Sequence, residues 1–239
     1  MSGFSLLPLG HTSAALLSMV LTLACYYANK RVYKSHPHTL LMPIISTPLV
    51  LIAVMLLLGI GYDDYSTHTH WLVWLLGPTT VAFALPLFEY REMVRKHWLS
   101  IFTGVFVASA VSIMTSVWFA RWLGLSPALQ KGLAVRSITT PLAVEAERAL
   151  GGSMDLAVLF VLLTGVTGMI VGGTVLRLLP RLHSRVALGA MLGGSAHGSG
   201  VAKANMAGPQ QGVAASLVMM IAGTLNVIAA PWIGAWLFH

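Results

Sequence analysis

Apolar residues run in long blocks along the chain, roughly over 11–28, 40–60, 71–88, 100–123, 128–149, 155–179, 186–207 and 211–237. Each is close to the ~20 residues that carry an α-helix across a hydrocarbon layer. The pattern predicts an all-α polytopic membrane protein with about eight membrane segments in a single transmembrane domain over 1–239. Three blocks are interrupted. "LLGPTTVAFALPLF" holds Pro78 and Pro86, "VRSITTPLAVEAE" holds charge and hydroxyls, and "GGSAHGSGVAKAN" holds four glycines, two serines, a histidine and a lysine. Breaks in corresponding positions of two halves mark transporter binding sites. They suggest two inverted structural repeats, 1–123 and 124–239, with Pro48 and Pro141 as a weak sign of that relation.

Composition supports the membrane reading. Of 239 residues, 56% are hydrophobic and 9% charged, with mean hydropathy +0.80. A soluble domain carries about 25% charged residues. The net charge of +7 sits in short loops, so the positive-inside bias explains it without a nucleic-acid partner. "NKRVYKSHPH" and "EYREMVRKHW" are basic and read as cytoplasmic; "GYDDYSTHTH" is acidic and reads as an external loop. The N-terminus is then external, and the first block reads as a retained helix rather than a cleaved signal. "RLLPRLHSR" also reads as cytoplasmic, which fits only if 128–149 enters and returns on the same side. That segment is therefore expected to be broken or re-entrant, near Ser137 to Pro141, because irregular backbone at membrane depth must be packed in protein or line a cavity. Cys25 is the single cysteine and sits in an apolar run, so no intramolecular disulfide or cysteine metal site is expected.

A broken helix exposes backbone N–H groups at the start of its second half, where an anion binds. Pro141 suits the first turn of such a half-helix, with Thr139 and Thr140 before it to cap it or bind a ligand. Arg136 and Ser137 lie upstream. In the glycine-rich segment, Ser195, His197, Gly198 and Gly200 form the break, with a second half-helix expected near Val201 and Lys203 in its first turn. Thr79, Thr80 and Asn205 complete the candidate binding set. Charges within a bilayer are expensive and are usually functional or paired. Arg136 and Glu145 are therefore either site residues or a structural pair, while Glu147 and Arg148 read as interfacial. A proton carrier, if one is needed, would be Glu145 or His197; the plain alternative for His197 is a neutral ring hydrogen-bonded inside the bundle. "HTH" at 68–70 lacks a third metal ligand. No enzyme motif is visible, and neither metal nor cofactor is expected.

"LLGPTTVAFALPLFEYRE", "RSITTPLAVEAERALGG" and "GGSAHGSGVAKA", in this order, resemble the LrgB/CidB family of bacterial membrane proteins across essentially the whole chain. The chain is also similar to the C-terminal half of the plastidal glycolate/glycerate translocator. Arg136, Val201 and Lys203 stand where the family usually has Lys, Thr and Arg. The resemblance implies a bacterial inner-membrane carrier of small monocarboxylates such as glycolate, glycerate, lactate or pyruvate, working by alternating access and open to proton coupling. It equally implies the alternative of an antiholin-like regulator of murein hydrolase export and cell lysis, with a small LrgA/CidA-like partner. A homodimer is expected from the fixed scaffolds of many carriers.

Overall fold

The structure is a computed structural model that describes residues 11–82, 84–178 and 184–238, with the side chains of Thr79 and Thr80 outside the described set. Arg181 and His183, in the third basic loop, also lie outside it. The described residues are helical, without strands. Chain contacts divide them into two compact units, one ending at Thr79 and one beginning at Thr80.

In the first unit, α1 (His11–Ser35) packs against α2 (Pro43–Leu58) and α3 (Tyr62–Trp74). Helix α2 opens on Pro43 and stops at Gly59, whose φ of 68° is left-handed and suits glycine. The expected acidic loop is instead the start of α3. Asp63 and Asp64 occupy its first turn, where the helix dipole favours anions, and Ser66, Thr67 and Thr69 bond back to carbonyls one turn earlier. His70 accepts a hydrogen bond from Trp74 at 2.9 Å, so this part of "HTH" is engaged along its own helix.

The expected 71–88 segment is not one helix. It comprises the end of α3, then α4 (Leu76–Ala82) and α5 (Ala84–Glu89), each holding one of the two prolines. The second basic loop is also shorter than expected, since α6 (Arg91–Trp122) already begins there and bends at His97.

The second unit is built around α11 (Pro209–Leu237), most of whose apolar stretch is buried. Helices α6 and α10 (Arg185–Ala207) pack on it directly, and α9 (Met154–Leu178) packs against α10. Between α6 and α9 the chain forms two short helices, α7 (Pro127–Ala134) and α8 (Thr140–Ala149). Among the described residues, α6, α9 and α11 are long and apolar enough to cross a membrane. The main core joins Val117 of α6, Ile138, Ala143 and Ala146 of the α7–α8 region, Ala157 and Val161 of α9, and Ala230 of α11.

Candidate functional site

The interruption expected near Ser137 to Pro141 is present. Helix α7 ends at Ala134, residues 135–139 are irregular, and α8 restarts at Thr140 with Pro141 in its first turn. Proline fits there because its missing N–H would have no partner in any case. Thr139 is buried at the N-cap position with an extended ψ of 144°, but its hydroxyl does not cap the helix. The opening amides of α8 are thus not closed by the Thr139 side chain. Thr140 is half-buried beside it.

This break turns its polar side chains onto α6. Arg136 donates from Nε to the Ser116 hydroxyl at 2.8 Å. The hydroxyls of Ser137 and Ser112 bond to each other, and Ser116 donates to the Ser112 carbonyl at 2.6 Å. Ser109, one turn before Ser112, accepts from Asn226 of α11 at 2.9 Å. Three serines spaced i, i+3 and i+7 lie on one face of a helix. They form a polar seam through an otherwise apolar bundle. The sequence reading missed Ser109, Ser112, Ser116 and Asn226. The signal was present in "SAVSIMTS", where hydroxyls recur at helical spacing inside a membrane-length block. Beside Asn226 a void of about 10 Å³ is lined by Val135, Ala146 and Leu150. It has room for about one water, not for a substrate.

The second break is narrower than expected. Helix α10 continues through "GGSAHGSG" except at Ala196 and His197, where φ reaches −129° and +40°. The second half therefore starts at Gly198 rather than near Val201. His197 is buried, and its Nε2 lies 2.9 Å from the Val161 carbonyl. A carbonyl only accepts, so Nε2 carries the hydrogen. The plain alternative of a histidine tied inside the bundle is thus what the geometry holds. Close approach explains part of the glycine richness. A Cβ on Gly165 of α9 would come within 2.6 Å of Ser199 Oγ and 2.8 Å of His197 Cε1. Val161 also belongs to the core that contains Val135 and Ile138. Both breaks therefore pack on the same stretch of α9.

The remaining candidates scatter. Gly198 is half-buried with open space over it, and Gly200 is buried beneath the Leu192 carbonyl. Ser195 is exposed and bonds to the Met191 carbonyl one turn back. Asn205 is exposed near Gly212. Lys203 reaches the Met169 carbonyl of α9. Met169 is eight residues beyond Val161, about 12 Å along the helix axis, so the ammonium does not share a site with His197. Arg136 and Glu145 are not paired. Glu145 is half-exposed and lies 3.5 Å from Arg148. Glu147, expected at the interface, has no exposed surface at all. The pattern of α8 accounts for the exchange: Ala143, Ala146, Glu147 and Leu150 share the inward face, while Glu145 and Arg148 face out.

Residues 22–236 match the model of the LrgB-like family. The chain is 34% identical over 218 residues to YwbG and 32% identical over 225 residues to YxaC, both of Bacillus subtilis (strain 168). These alignments cover 91% and 94% of this chain and 96% and 97% of the relatives. It is 31% identical over 217 residues to the holin-like protein CidB of Staphylococcus aureus (strain Mu50), covering 91% of this chain and 94% of that one. No solved structure matches. A helical bundle with membrane-length spans, two broken segments packed on one helix, and a match over nearly the whole length lead to one assignment: the chain is a multi-pass membrane protein of the LrgB-like family.

Proposed function

We propose that the protein is a secondary carrier of small monocarboxylates, with glycolate, glycerate, lactate and pyruvate as the candidate substrates. The observation that carries this reading is the first break, with Arg136 and Ser137 set against the α6 serines and the start of α8 uncapped by Thr139. Arg136 is half-buried among apolar helices, where a charge taken from water is costly unless it meets a partner. A passive anchor gains nothing from keeping it there. A carboxylate would take two hydrogen bonds from the guanidinium and further ones from the amides of the α8 first turn. Substrate hydroxyl or keto oxygens would meet Ser112, Ser116 and Ser137.

Alternating access would move the broken segments against a scaffold of the smoother helices, with the two halves of the chain as inverted repeats and a homodimer as the scaffold. The N-terminus would be external and the membrane the bacterial inner one. Proton coupling belongs to the same proposal, although the outward position of Glu145 and the bond of His197 to Val161 favour neither as carrier.

The name of the staphylococcal relative favours a second reading, a holin-like regulator of cell lysis acting with a small LrgA/CidA-like partner. Reconstitution separates the two. Purified protein in liposomes should take up labelled monocarboxylates saturably and retain a trapped dye. Dye release without saturable uptake would favour the holin-like role and sink the carrier.

A further inference from the structure

Glu147 lies in the last turn of α8 with no exposed surface, and neither carboxyl oxygen has a hydrogen-bond partner. Its Oε1 rests directly on Gly152, where a Cβ would collide with it. The elements around it supply little charge. From α7 comes Lys131, whose ammonium donates to the Gly151 carbonyl at 3.2 Å and acts on Glu147 at longer range, as does the Ser153 amide. From α9 comes Asp155, which is exposed; α11 carries no ionisable residue. On α8 itself, Glu145 and Arg148 face outward toward each other.

A carboxylate removed from water without hydrogen bonds is strongly disfavoured. The C-terminal end of α8 adds the negative pole of its dipole. A buried orphan acceptor of this kind calls for a specific explanation, because nearly all such groups are satisfied. A neutral carboxylic acid fits this position, and Lys131 is placed to meet the charge when the proton leaves.

We propose that Glu147 is the proton-carrying residue of the transport cycle, protonated in the state described here. On ionisation its carboxylate draws the Lys131 ammonium away from the Gly151 carbonyl. The proton enters from water on one side of the membrane and returns to water on the other, so no further reactant is needed. This inference rests on the carrier reading for its link to transport. The protonation site itself does not.

Purified full-length protein in lipid provides the test. pH-difference infrared spectra should show a protonated-carboxyl band that is lost in Glu147→Gln and kept in Glu145→Gln. The unfolded chain ionises this carboxyl freely while the folded one resists, so raising the pH from about 5 to about 9 should lower the wild-type Tm relative to that of Glu147→Gln. In liposomes Glu147→Gln should give pH-independent uptake, whereas Glu147→Asp should keep the dependence. A band that survives Glu147→Gln, or an unchanged pH profile of uptake in that variant, would overturn the proposal. Loss of the band in a protein that transports no monocarboxylate would confirm the protonation site and remove the carrier reading instead.

Discussion

His197 has a backbone that a histidine rarely adopts, with φ at +40° in the middle of α10. Holding a residue with a Cβ there costs about 1–3 kcal/mol, and the bond to Val161 returns part of that. His197→Gly should therefore unfold within about 1 kcal/mol of the wild type, since it relieves the strain as it loses the bond. His197→Val should lose about 2–4 kcal/mol, because a β-branched side chain tolerates that conformation least. Denaturation in detergent reads both. Arg136 makes a different demand. Arg136→Gln removes the charge from the seam, and losing a charged hydrogen bond of about 1.5–3 kcal/mol should cut uptake by about tenfold to a hundredfold. Arg136→Lys should retain part of the activity because the charge survives without its fork.

Individual residues were unevenly legible in the sequence. Arg136 and His197 stood out because charge and histidine are rare inside apolar blocks. Glu145 reads from the sequence as the inward carboxylate and Glu147 as interfacial, and the structure exchanges them, since burial depends on which face of a ten-residue helix meets the core. The α6 serines were hidden because serine is unremarkable in a membrane helix until a partner such as Arg136 is placed beside it.

At the scale of elements, the irregular span 135–139 was readable because "SITTP" combines hydroxyls with a proline that must begin a helix. The same logic marks Pro43, Pro127 and Pro209, each of which opens a helix in the structure. The acidic stretch at 62–70 misled because carboxylates and hydroxyls suit a helix start as well as a loop. If the first break lines a path for substrate, Cys at Thr139 in a Cys25→Ala background should react with a water-soluble thiol reagent in at least one substrate condition. Cys at Val161, inside continuous α9, should stay unlabelled. Equal protection of both positions under every condition would argue that no path reaches the break. The second break depends on the smallness of α9. Gly165→Ala sets a methyl against Ser199 and His197 and should cost about 1–3 kcal/mol, read as a lower Tm.

Across the second unit, the main core spans α6, both short helices, α9 and α11, and smaller apolar clusters join α11 to α6 and to α10. The polar seam crosses this core beside a void with room for about one water. A monocarboxylate could enter only if α7 and α8 moved relative to α6 or α11. On the carrier proposal, the site opens by turns to the two sides of the membrane. Counterflow measures this directly. Liposomes loaded with an unlabelled monocarboxylate and placed in a trace of the labelled one should first accumulate label above its outside concentration, then lose it as the gradient runs down. Arg136→Gln should slow the rise to the overshoot by about tenfold to a hundredfold. Label that rises to the outside concentration and stops there, with wild-type protein in the membrane, would contradict the account, because that is the behaviour of a pore.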